Sequence, residues 1–333
     1  MSAQGVWAGL GDSVFLAGVE DRERDPARLI TGLVSGVVLG LVAAVCGLLL
    51  IMVCYAIFVG DGARGLEGLW DDLRLLRDLQ TVTPGLIVLR LVVDTVVDGG
   101  SLLVFVAAVA SIMRQPLWVY VAAAGRVRWR LFGLAMALSA AAITPVVVAE
   151  RILNGGGGDL AFLAISPSAF DRIVYCLSAL MLIPAAAAEE LFFRGWLLRQ
   201  TGAFLRRPLT LIAATALLFS TAHLDFNPGA FLTRVLMGGA FAYMTLRLGG
   251  VEFAAGAHAV NNLMIMLFLQ PLSLNSSAAP EEPSAFSLVE AAALMGGYIM
   301  ITELVVRLPA LRRWAGVRTE DISPTRDVSA HFS

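Results

Sequence analysis

The sequence predicts an all-α, polytopic membrane bundle of about eight transmembrane helices, and three observations lead there. Of the 333 residues, 58% are hydrophobic and 15% charged, well below the roughly 25% charge of soluble domains. The mean hydropathy is +0.79. Apolar runs recur along almost the whole chain, each near the roughly 20 residues that a helix needs to cross the hydrocarbon. Lipid offers no partners to open sheet edges, so these runs are read as helices.

The spans follow in order as 29–59, 84–113, 131–149, 173–198, 209–223, 229–246, 251–269 and 286–306. The first follows a stretch of mixed charge and exceeds a signal-peptide core, so it is expected to remain as a membrane helix. Its Gly32, Gly36 and Gly40 form a face for close helix packing. The second carries Arg90, Asp94 and Asp98 at spacings of four, read as a structural set in which the arginine neutralises Asp94. The last carries Glu303 and Arg307, read as an interfacial pair. Cys46, Cys54 and Cys176 fall in apolar spans, and their odd number argues for small core residues over a disulfide framework.

Orientation follows from arginine, since the chain has no lysine. With the N-terminus inside, sixteen arginines fall in the cytoplasmic segments and five in the opposite loops, so both termini are expected in the cytoplasm of a cell membrane. The domain reading is a cytoplasmic segment over 1–28, a helix bundle over 29–308 and a disordered cytoplasmic tail over 309–333. The glycine run 154–158 and the Ser/Ala/Pro/Glu-rich stretch 273–284 are expected to be outward loops. The net charge of −2 gives no sign of a nucleic-acid partner. The lysine-free, alanine-rich composition points to a GC-rich bacterial genome.

Polar residues deep in membrane helices are costly and mark paired or functional sites. Glu189 and Glu190 follow an alanine run in the fourth span and precede Arg194. At about 100° per residue, Glu190 and Arg194 lie about 40° apart and Glu189 about 140° away from Arg194. Arg194 can therefore pin Glu190 and leave Glu189 free, as a desolvated carboxylate suited to general-base work on water. His223 and His258 stand on the next apolar helices, and the third histidine, His331, is in the tail. Asn262 lies one turn beyond His258, where its amide could orient the imidazole or donate to an oxyanion; Asn261 could do the same. Phe219 lies one turn before His223 and would pack over its ring. Each histidine could instead merely link helices by hydrogen bonding. A depth mismatch stands out, because counting places Glu189 in the inner half of its span and His223 about 24 Å along the next, near its outer end.

The ordered set Glu189-Glu190-Leu-Phe-Phe-Arg194, Phe219-Ser-Thr-Ala-His223 and His258-Ala-Val-Asn-Asn262 resembles the three-motif signature of the CPBP family of intramembrane proteases, which includes type II CAAX prenyl endopeptidases and Abi-like bacterial proteins. The likeness covers about 172–270. It implies an eight-helix bundle with an intramembrane cavity, in which Glu189 and His223 activate water for peptide hydrolysis, His258 and Asn262 stabilise the oxyanion, and Glu190, Arg194 and Phe219 support them. It leaves open whether a divalent metal such as zinc is used; if so, Glu189, His223 and His258 would be its ligands. The expected partners are the lipid bilayer and a membrane-associated peptide or protein substrate, reached from the cytoplasmic side. No oligomeric state is read from the sequence. The alternative is a non-catalytic membrane immunity or scaffold protein that retains the motifs for packing. A zincin motif and a rhomboid-type Gly-x-Ser-Gly motif are both missing from the sequence.

Overall fold

The computed structural model describes residues 10–58, 67–68, 71–72, 83–153, 160–269 and 285–322. The main helices are α1 (Pro26–Phe58), α2 (Pro84–Ile112), α3 (Trp129–Leu153), α4 (Ala169–Gly202), α5 (Pro208–Ala222), α6 (Pro228–Leu248), α7 (Glu252–Leu269) and α8 (Ala285–Arg307). The chain is a polytopic helical membrane protein. Six of these helices are long and apolar enough to cross a membrane; α5, with 15 residues, is shorter, and α8 is not among the six. The loops expected at 154–158 and 273–284 lie outside the described residues, as does 323–333 of the expected disordered tail; the first part of that tail, 309–322, is described and begins with the helix Pro309–Trp314, which corrects its reading as disordered.

α1 lies at the periphery and packs on α2. Its glycines make this approach possible: a Cβ on Gly36 would stand 2.7 Å from the Phe105 ring, and one on Gly40 3.2 Å from the Ser101 carbonyl. The small-residue face is thus occupied from within the chain. Its other faces expose Ile30, Val34, Leu41, Val45, Leu49 and Ile57, a surface stable only in lipid. Cys46 and Cys54 share this exposure. That corrects their reading as core residues, because they stand on the helix faces turned from α2; Cys176 is half-buried.

α4, α6 and α7 are the innermost helices, with 44%, 56% and 61% of their apolar windows buried against 17% for α1. These are the helices that carry most of the polar motifs. α4 packs on α7, α5 on α6, α3 on α7, and α6 on α8.

One end of the bundle is closed by buried ion pairs. Arg128 donates to Glu252 at 2.8 and 2.7 Å and to the Leu248 carbonyl at 2.8 Å. Arg199 donates to Glu23 at 2.7 Å, to the Phe15 carbonyl at 3.0 Å and to the Gly18 carbonyl. Arg128, Arg199, Glu23 and Glu252 are all buried. The arginine reading treated the first two as loop charges; here they are internal clamps. Residues 10–25 are folded onto the bundle, with Leu10, Phe15 and Leu16 in an apolar cluster with Leu211 and Tyr243. Asp321, assigned from sequence to the tail, is buried near Arg128.

Candidate active site

A rigid frame sits between α4, α5, α6 and α7. Glu190 is fully buried and its Oε1 accepts from Arg194 at 2.8 Å and from His258 Nδ1 at 2.8 Å. Arg194 also donates to the Gly238 carbonyl at 3.2 Å, and its guanidinium lies 4.2 Å over the Phe219 ring, a cation–π contact that strengthens when desolvated. Glycine at 238 permits this approach, since a Cβ there would stand 3.1 Å from Phe219 and 3.3 Å from Arg194. The His258 ring stacks on Phe241 at 5.2 Å and 26°. Its Nδ1 must carry the proton it gives to Glu190, which turns Nε2 to Glu189, 3.9 Å from Oε2.

Glu189 is the carboxylate that faces open space. Its side chain is 31% exposed, and it lines a cavity of about 680 Å³ together with His223 and Asn262. His223 donates from Nδ1 to the Phe219 carbonyl at 2.8 Å, so in the neutral ring Nε2 is the proton-accepting nitrogen. The Phe219 ring meets His223 edge-on at 4.8 Å. Asn261 donates to Asn262 Oδ1 at 3.4 Å and accepts from Tyr298 at 3.3 Å, which leaves the Asn262 amide nitrogen as its donor. His258 is oriented by Glu190 and not by Asn262, so the one-turn spacing does not carry the orienting bond. The structure brings Glu189, His223 and Asn262 to one cavity and places His258, Glu190, Arg194 and Phe219 behind it.

The depth mismatch disappears. α4 extends to Gly202, so Glu189 lies 13 residues from the C-terminal end of its helix, while His223 lies 15 residues after Pro208. At 1.5 Å per residue these are about 20 and about 22 Å from the shared turn. The mismatch came from ending the fourth span at 198.

Four further charged residues line the same cavity: Arg90, Asp94 and Asp98 from α2, and Arg234 from α6. Arg90 pairs with Asp94 at 2.7 Å, in keeping with the local neutralisation expected, and Arg234 pairs with Asp225 at 2.8 Å. Arg234 carried no signal in the sequence beyond being an arginine within an apolar span. Three π-helical stretches, Asp94–Gly99, Leu191–Leu197 and Ile265–Leu269, contribute to or border this site. Such widened turns recur at functional sites because they re-aim side chains against the helix register.

A metal fits poorly here. Among the described residues, no three His, Cys, Asp or Glu side chains are grouped as ligands. Nδ1 of His223 and of His258 is bonded to an oxygen, which leaves both Nε2 atoms able to serve as ligands, so the misfit rests on how the side chains are grouped and not on the ring nitrogens.

Comparison with known proteins gives the same direction. Residues 172–264 match the family described as type II CAAX prenyl endopeptidase Rce1-like. The uncharacterized protein YyaK of Bacillus subtilis (strain 168) is similar at 36% identity over 107 residues, which cover 30% of this chain and 36% of that relative. The chain thus matches about a third of the curated relative's length. No solved structure matches. The segment that resembles the Rce1-like family, 172–264, is well under half of the chain but includes Glu189, Glu190, Arg194, Phe219, His223, His258 and Asn262.

Proposed function

We propose that the protein is an intramembrane endopeptidase that hydrolyses a peptide bond in a membrane-associated peptide or protein. The observation that carries this reading is the shared cavity of Glu189, His223 and Asn262, held by the Glu190–His258–Arg194 frame. Glu189 accepts a proton from water while His223 Nε2 accepts the hydrogen bond of the water's second proton. The resulting hydroxide bonds to the scissile carbonyl carbon, and the carbonyl electron pair moves onto oxygen. The Asn262 amide offers a hydrogen bond to that oxyanion, and His258, doubly protonated between Glu190 and Glu189, offers a second from Nε2. The intermediate collapses by breaking the C–N bond, with Glu189 returning its proton to the leaving nitrogen and the other product keeping the new carboxyl.

A carboxylate that stays buried and paired could not do this work. Glu189 is placed differently from Glu190, half-open to the cavity and without an arginine partner. The scaffold alternative drew on the glycine face of α1, which α2 occupies. A comparison of membrane peptidomes from cells carrying wild-type, Glu189→Ala or His223→Ala protein tests the proposal. Products present with wild type and lost in both variants are expected; unchanged products in both variants sink it.

A further inference from the structure

We propose that the cavity receives its substrate from the non-cytoplasmic face of the membrane, so that the peptides cleaved are exported chains or outward-facing segments of membrane-anchored ones. This rests on the hydrolytic reading above and adds a side to it. It departs from the cytoplasmic access expected from sequence.

The cavity lining lies toward one end of the bundle. The first turns of α2 pack beside the first part of α4, which in turn meets the last turns of α7; α5 ends and α6 begins at that same end by helix alternation. The lining residues cluster there: Arg90 six residues into α2, Arg234 six residues into α6, His223 at the end of α5, and Met266 near the end of α7. The deepest lining side chains, Leu102 and Phe193, still stand about 15 and about 14 Å short of the opposite helix ends at 1.5 Å per residue.

The opposite end is filled. Below Phe193, Trp196 is buried and packs with Phe105 at 4.7 Å, and a Cβ on Gly195 would collide with the Tyr120 carbonyl. The Arg199–Glu23 and Arg128–Glu252 clamps and the Ala122–Gly250 bridge close the layer beyond.

The arginine-rich segments are bonded to one another at the filled end: Arg22 and Arg28 donate to carbonyls at 112–114, Arg24 to Ala203, and Arg126 to Gly316. Among the described residues, fifteen of the sixteen arginines stand at the filled end, and of the five only Arg151 and Arg172 stand at the open one. Basic residues at helix ends are retained in the cytoplasm, which turns the open end outward.

Cysteine accessibility tests this without a known substrate. In protein with Cys46, Cys54 and Cys176 changed to Ser, a single cysteine is introduced as Ala222→Cys or Ile265→Cys in the cavity lining, or Arg313→Cys at the filled end. Sealed right-side-out and inverted vesicles are treated with a membrane-impermeant maleimide. The expected result is labelling of either lining cysteine in right-side-out vesicles and of Arg313→Cys only in inverted ones. Labelling of both lining cysteines only from the inverted side, of Arg313→Cys from the outside, or of no lining cysteine from either side overturns the proposal. The two readings fail separately. Loss of processing in Glu189→Gln with cavity labelling only from the inverted side removes the sidedness alone. Outward labelling with processing unchanged in Glu189→Gln removes the hydrolytic reading alone.

Discussion

Glu189 and Glu190 are neighbours in sequence with opposite surroundings. Glu190 is fully buried and accepts from Arg194 and His258, whereas Glu189 opens on the cavity with a histidine nitrogen 3.9 Å away. Substitutions should separate them. Glu189→Gln keeps the shape and leaves Arg194 paired, so the protein should melt like wild type in detergent while processing falls by about 10²–10⁴-fold, the range for a lost general base. Glu190→Gln leaves Arg194 as a buried cation without its partner, a loss on the order of 3–5 kcal/mol when one member of a buried pair is removed. Thermal melting should place Glu190→Gln well below Glu189→Gln; equal melting would contradict the division. This part was legible in the sequence, because a spacing of four on one helix fixes which carboxylate meets the arginine. What could not be read was the partner of His258: the helix register offered Asn262 on its own helix, and the bond goes to Glu190 on another. Arg90, Asp94 and Asp98 were visible as a set, but their place in the cavity depends on how α2 meets α4.

At the scale of the element, the eight spans read from hydropathy fall close to the helices α1–α8, and the largest boundary errors lie at both ends of α4 and at the end of α3. Apolar composition does not mark where a helix continues beyond the hydrocarbon, so 199–202 was assigned to a loop although Arg199 and Gln200 are buried there. The π-helical stretches were equally hidden, since pattern reading presumes 3.6 residues per turn. Close approaches through glycine are a separate feature of the packing. Gly195 lies in one π-helical stretch with no room for a Cβ beside the Tyr120 carbonyl, and Gly256 on α7 would bring one to 2.5 Å from the Phe132 carbonyl. Gly195→Ala and Gly256→Ala should each destabilise by about 1–3 kcal/mol, the cost of overpacking a filled contact. Gly133, with nothing within 4 Å of its Cβ position, supplies the control: Gly133→Ala should melt like wild type. A control that loses as much as the other two would show that the close contacts are not what matters.

Across the whole molecule, the filled end and the cavity divide the work of stability and chemistry. Arg128 and Glu252 join the segment before α3 to the start of α7, and Arg199 joins α4 to the N-terminal segment. Glu252→Ala strands Arg128 in a buried layer and should cost about 3–5 kcal/mol, read as a lower melting midpoint, without changing which bonds are cut in the protein that remains folded. Altered cleavage sites at normal stability would instead connect that end to the chemistry. Membrane residence was legible from composition alone. The clamps were not, because arginines at helix ends look alike in sequence whether they face water or a buried carboxylate on a distant segment.

The central claim is that Glu189 activates water to cut a peptide bond inside the membrane. Its most direct test is to incubate membranes carrying wild-type or Glu189→Gln protein in oxygen-18 water and read new peptide C-termini by mass. The account predicts new C-termini bearing one oxygen-18 atom with the wild type and none of those termini with Glu189→Gln. The same labelled termini at equal abundance in both membranes would contradict it.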